Sequence, residues 1–156
     1  MPLALNTTYE NVFYDVVLDG IRDILIAEFN YGKIYIAPEL KYKDSFSIRI
    51  WGTNSDTEYM IQQEWKKRYN VDIVVYFIEQ NPSESFYKQI YQDSERVFQV
   101  LFNNQTKTIT VGGRDFTWIA AEIDEVTINS DEETEEEVDG LHSVNMSFSC
   151  LVNREG

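Results

Sequence analysis

One stretch, Val71 to Phe102, carries the marks of a strand, a tight connection and a helix in unbroken order. Val71 to Ile78 is an apolar run of β-branched and aromatic residues, the composition of a well-buried strand. Asn81-Pro82-Ser83-Glu84 then reads as a capping box. In it the Asn81 side chain accepts from the Glu84 N–H, and Pro82 takes the first helical position, where its missing N–H costs nothing. The residues beyond place Phe86, Ile90, Val97 and Leu101 on one helical stripe. A helix packed on a sheet is therefore expected, and no catalytic motif decorates it.

A second helix precedes this unit. Thr7 and Glu10 have capping-box spacing, and Val12, Phe13, Val16, Val17, Ile21, Ile24 and Leu25 recur three or four apart. Gly20 lies inside that stripe, at a cost of about 1 kcal/mol unless a neighbour packs closely against it. Gly32 is the expected C-terminal stop. A hairpin should follow: a short strand over Lys33–Ala37, broken by Pro38, and a second from Phe46 to Trp51. In the second, Phe46, Ile48 and Ile50 face the core and Ser47, Arg49 and Trp51 face water.

Residues 52–69 differ in character, being rich in turn formers and charges with aromatics interspersed. A compact monomer rarely spends so long a stretch joining two strands. The expectation is a long polar hairpin arm, or a segment that covers something. Its candidate interface residues are Trp51, Tyr59, Met60, Ile61, Trp65, Lys66, Lys67, Arg68 and Tyr69, because aromatic and Arg residues concentrate at interfaces. Farther on come a short strand over Thr106–Val111, a Gly112-Gly113 turn, a long strand over Phe116–Ile128 and its partner over His142–Val152. The fold class is α+β: one domain over 1–156, a mostly antiparallel or mixed sheet covered by two amphipathic helices.

Between the last two strands runs the acidic loop 130–139, with Asp131, Glu132, Glu133, Glu135, Glu136, Glu137 and Asp139 and no base. It lacks the alternating acids and central glycine of a calcium loop, so a solvated or lumen-facing loop is expected, with no metal and no other cofactor. The chain as a whole holds 27 acidic and 13 basic residues, a net charge of −14. Phosphate-backbone binding needs clustered Lys and Arg, and so does attraction to an anionic membrane; neither is expected. The amino terminus has no basic, apolar leader, and no run nears the length of a membrane span. The single cysteine, Cys150, excludes an intrachain disulfide and fits synthesis in a reducing cytoplasm.

Catalysis finds little support. His142 and Cys150 stand eight positions apart on one expected strand, about 26 Å, too far for a thiolate–imidazole pair. Cys150 reads as a packed strand residue, His142 as a loop-edge residue. No Gly-x-Ser-x-Gly elbow occurs. Trp51, Trp65 and Trp118 with Tyr59 and Tyr69 could form a stacking platform for a ligand, which is the rival reading of a monomeric binding module. A hydrolase with an unrecognised carboxylate pair is the remaining rival.

The order of elements resembles the tail-terminator (tail-completion) and neck proteins of long-tailed bacteriophages. The likeness rests on a helix over Tyr9–Phe29, the strand Ser47-Ile48-Arg49-Ile50, a polar arm and the strand Tyr69–Tyr76. It continues through a helix centred on Asp93-Ser94-Glu95-Arg96-Val97 to paired strands over Trp118–Ile128 and Ser143–Val152. It implies a non-enzymatic virion protein, made in the host cytoplasm, that forms a homo-oligomeric ring, a hexamer in the usual case. The ring ends polymerisation of the tail tube and meets both the tube protein and the head-side connector. Genome DNA passes through without specific binding.

Overall fold

A computed structural model describes residues 10–30, 33–37, 46–61, 64–129 and 140–154. A π-helical segment, Phe13–Leu18, runs straight into helix α1, Asp19–Phe29. Then follow β1 (Ile34–Ile36), β2 (Ser47–Ile61), β3 (Glu64–Ile78), α2 (Glu84–Phe102), β4 (Lys107–Val111), β5 (Arg114–Asn129) and β6 (Leu141–Arg154). The strands form one sheet in the order β1-β2-β3-β6-β5-β4, antiparallel except for the β1–β2 pair. This is the α+β architecture that the two periodicities require. Among the described residues, no helix is long and apolar enough to cross a membrane.

Both helices bury their stripes in a common core with the sheet. Val16, Val17, Ile21 and Leu25 join Ile90, Val97 and Leu101, with Ile48, Ile50, Ile73, Val75, Val144 and Phe148 beneath them. Gly20 has its close neighbour: a Cβ there would stand 2.7 Å from Cζ3 of Trp118 and 2.8 Å from Cδ1 of Ile109. The glycine therefore costs helix propensity and returns it as contact between α1 and the sheet. Gly112 and Gly113 form the two-residue β4–β5 turn with φ of +62° and +80°, the positive values that such hairpins demand.

The local punctuation departs from the sequence reading in several places. Asn81 is not the cap of α2. Its backbone N–H donates to Glu79 Oε1 (3.2 Å), while Ser83 accepts from the Phe86 N–H (3.3 Å). Glu79 is still tied to the sheet through its N–H and the Gly140 carbonyl (2.9 Å). The chain uses the residues between to climb onto the sheet before Ser83, an equally good cap, starts the helix. Pro82 thus precedes the helix.

For the first helix, Thr7 and Gly32 lie outside the described residues. Asn11 Oδ1 accepts from the Tyr14 N–H (3.2 Å), and Asn30 closes α1 in the left-handed conformation (φ 50°), which asparagine tolerates best after glycine. Glu10 meets Arg114 (3.6 Å) and Arg154 (3.9 Å).

The expected β1–β2 hairpin is a parallel pair, Ile34 opposite Ile48 and Ile36 opposite Ile50. Enough chain separates the two strands to bring it back to the starting end, which parallel pairing requires. Ser47 and Arg49 are buried rather than wet. The Arg49 guanidinium lies 5.0 Å from the Tyr35 ring and 5.9 Å from that of Tyr76, so aromatic faces replace water around it.

Candidate assembly surface

The hairpin β2–β3 pairs from Ser47–Tyr76 to Ile61–Glu64. Its two strands have different surroundings. On its other side β3 is paired with β6 along its whole length, from Trp65–Arg154 to Ile78–Leu141. β2 is covered by β1 only at Ile48–Ile50. From Trp51 to Ile61 the outer edge of β2 has no strand partner among the described residues. Such an edge presents a row of unpaired N–H and C=O groups to any extended segment that comes alongside.

Among the described residues the sheet has a second open edge, on its opposite border and at its opposite end. β4 covers β5 only from Arg114 to Trp118, and the Gln105 carbonyl accepts from the Ala121 N–H (3.4 Å) just beyond. From Glu122 to Asn129 the outer edge of β5 has no strand partner among the described residues. Beside it lies a cleft of about 220 Å³ lined by Phe98, Leu101, Phe102, Ala121, Ile123 and Phe148, among others. Phe98 and Phe102 stack at 6.4 Å on the rim, and Phe102 is 58% exposed. Val126 and Ile128 point from β5 with substantial exposure.

The candidate residues of the hairpin separate into three groups. Tyr59, Met60 and Ile61 stand at its tip, Met60 70% and Ile61 61% exposed, with the Tyr59 hydroxyl 3.5 Å from Asn153 Oδ1. Trp51, Trp65, Lys66, Lys67 and Arg68 are half-buried. Lys67 lies over the rings of Trp65 (5.7 Å) and Tyr69 (5.0 Å). Arg68 donates to Ser149 Oγ (3.2 Å) and faces Glu122 (3.7 Å) and Glu58 (3.8 Å). Tyr69 is not a surface residue. It is 2% exposed, meets Phe13 edge-on at 4.8 Å and shares its strand face with Val71 and Ile73, so it belongs to the core.

The acidic run 130–139 lies outside the described residues; it joins β5 to β6. The half-edge of β5 and the Phe98–Phe102 rim escaped the sequence reading. Their signals were a pair of phenylalanines four apart off the buried stripe of α2, and Val126 and Ile128 alternating with Glu125 and Thr127. Neither reveals that β4 would stop short.

The tryptophans and the His142–Cys150 pair are held apart by the fold. Trp118 is fully buried, Trp65 tilts on Phe116 at 6.2 Å, and Trp51 pairs opposite Asp72 on the face away from the helices. No stacking platform forms from them. His142 and Cys150 sit on the unbroken strand β6, both buried. His142 is a core residue, not a loop-edge one. The strand starts directly after Gly140, and α2 lays Phe86 (5.0 Å) and Tyr87 (5.8 Å) edge-on against the imidazole. Among the described residues, no three His, Cys, Asp or Glu side chains come together as a metal site. Asp72, in a polar cleft with Glu125, Thr127 and Asn145, has its carboxyl pushed above the ordinary range by burial.

Cys150 and Tyr69 face each other across β6 and β3. Burial pushes both up to about 12, from ordinary values of 9.0 and 10.0, and the Cys150 charge adds to the effect on Tyr69. In the unfolded chain both lose protons at lower pH than in the folded one. Stability is therefore complete below about pH 9 and falls as pH rises toward 12, by up to about 1.4 kcal/mol per pH unit for each group. Urea midpoints measured at about pH 8 and about pH 11 should differ accordingly. Cys150→Ala should flatten the slope. A midpoint unchanged across that interval would contradict the burial of these groups.

No model of a known protein family matches the chain, and no curated protein matches it in sequence.

Proposed function

We propose that this chain is a virion structural protein of a long-tailed bacteriophage, the tail terminator or a neighbouring neck protein of the same build. It forms a ring at the head-proximal end of the tail tube, ends tube growth and joins the tail to the head-side connector. The observation that carries the reading is a sheet whose two opposite borders are, among the described residues, open at two opposite ends. A subunit with two different unfinished edges suits head-to-tail contacts, which generate rings when the rotation closes. The polar hairpin 52–69 serves as the arm that reaches a neighbour, through the outer edge of β2 and the tip at Tyr59–Ile61. A net charge of −14 per copy repels nucleic acid phosphates, so a duplex passing through the ring would not stick. The protein acts without chemistry, metal or cofactor.

A tube without its terminator has no stop signal. In cells infected while expression of this chain is silenced, the tails are expected to vary in length and to remain unjoined to full heads. Tails of uniform length attached to heads, seen by electron microscopy of such lysates, would refute the role.

A further inference from the structure

We propose that two copies join by strand addition, the outer edge of β2 in one copy pairing antiparallel with the outer edge of β5 in the next, with Met60 seated in the cleft beneath Phe98 and Phe102. The proposal rests on the ring reading and specifies its joint.

Strand direction supports it first. Within the sheet β2, β3, β6 and β5 alternate in direction, so β2 and β5 run opposite to one another. Copies in a ring share one orientation, and β2 of one therefore meets β5 of the next as an antiparallel neighbour.

Register and face support it next. Aligned antiparallel over the length of β5 that is open, the tip residue Ile61 comes beside Glu122 and Met60 beside Ile123. Met60 pairs with Trp65 and lines a hollow with Val12, Phe13 and Trp65, so it projects on the helix-bearing face of the sheet. Ile123 packs on the core from that same face and lines the Phe98–Phe102 cleft. An exposed thioether thus arrives at an apolar cleft, and Met fits irregular apolar gaps well. The hairpin can go no farther, because beyond Glu122 the edge is taken by Gln105 and β4.

Charge opposes the joint in part. The open part of β5 carries Glu122, Asp124 and Glu125 and no base, and the edge of β2 that would be added carries Asp56 and Glu58 and no base, with Lys66 and Lys67 one strand behind it on β3. The joint therefore forms best where salt screens these carboxylates. A foreign strand would match one border only. A second copy matches both with surfaces already present. The two surfaces differ, so each copy can offer one while receiving the other.

The test uses two charge-introducing variants of the full chain, Met60→Asp and Phe102→Asp, purified separately. Both sites are exposed, and melting curves should stay near that of the parent. In native mass measurement at high salt, which screens the charge between copies, the parent is expected as a closed oligomer. Each variant alone should run at the 18.3 kDa of one copy. Mixed in equal amounts, the variants should give a dimer of one copy of each and nothing larger. That pair retains one intact Met60 tip and one intact cleft, and its outer surfaces are both spoiled. Val126→Lys offers a second lesion on the cleft side should Phe102→Asp fold poorly. Variants that still assemble like the parent would overturn this joint and leave the ring reading standing. A parent that remains a single copy in high salt would overturn both.

Discussion

Replacing Trp118 by alanine should lower the unfolding free energy by about 3–5 kcal/mol, the cost of truncating a fully buried tryptophan. The indole links three elements. Its six-membered ring lies so close to Gly20 of α1 that no side chain fits between them. It meets Phe148 of β6 edge-on at 6.1 Å. Its N–H donates to the Asn104 carbonyl just past the end of α2 (3.3 Å). Alanine would open a cavity under α1 and leave that carbonyl without this donor. Trp118→Phe keeps most of the volume and should cost roughly 1–3 kcal/mol, from the lost hydrogen bond and a smaller void. Domains of this kind have total stabilities of only about 5–15 kcal/mol. Urea denaturation should therefore show the alanine variant unfolding at a clearly lower midpoint than the parent. A loss under about 1 kcal/mol would mean that the indole is not the packing link between α1 and β5.

Gly140→Ala should be nearly as damaging, at about 2–5 kcal/mol. Its φ of +77° lies in the left-handed region, worth about 1–2 kcal/mol against any residue with a Cβ. The new carbon would also stand 2.7 Å from the carbonyl carbon and oxygen of Glu79. That is backbone, in a residue whose N–H donates to the Gly140 carbonyl, so it cannot swing aside as a flexible side chain would. Overpacking adds about 1–3 kcal/mol. Gly113→Ala provides the control. Its φ is +80°, yet nothing stands within 4 Å of the added carbon, so only the conformational cost of about 1–2 kcal/mol applies. Equal melting temperatures for the two variants would show that contact with Glu79 contributes nothing.

Much of the architecture was legible because it is written in local periodicity. The stripes of α1 and α2, the apolar run of β3, the alternation in β6 and the Gly112-Gly113 turn each depend on residues close in sequence. What escaped depends on residues far apart. Whether β1 runs with or against β2 is decided by how the chain returns between them, not by Ile34 or Ile36. Asn81 and Ser83 are both good caps, and the distant Gly140–Glu79 tether determines how far the chain must climb before a helix begins. Arg49 and His142 look like surface residues from their neighbours; Tyr35 and Tyr76 enclose one, Phe86 and Tyr87 the other. The candidate surface divides along the same line. Residues 52–69 stood out as a long polar stretch, but that β2 has an open edge there depends on where β1 stops. Tyr69 was misjudged because strand parity, set by pairing, turns it inward. The β5 edge stayed hidden, since its openness is a property of where β4 stops.

Electron microscopy of the purified full chain, negatively stained from high salt at micromolar concentration, reaches the centre of the account. Annular particles of one uniform copy number around a stain-filled hole are the predicted result. Isolated globules the size of a single copy would contradict it.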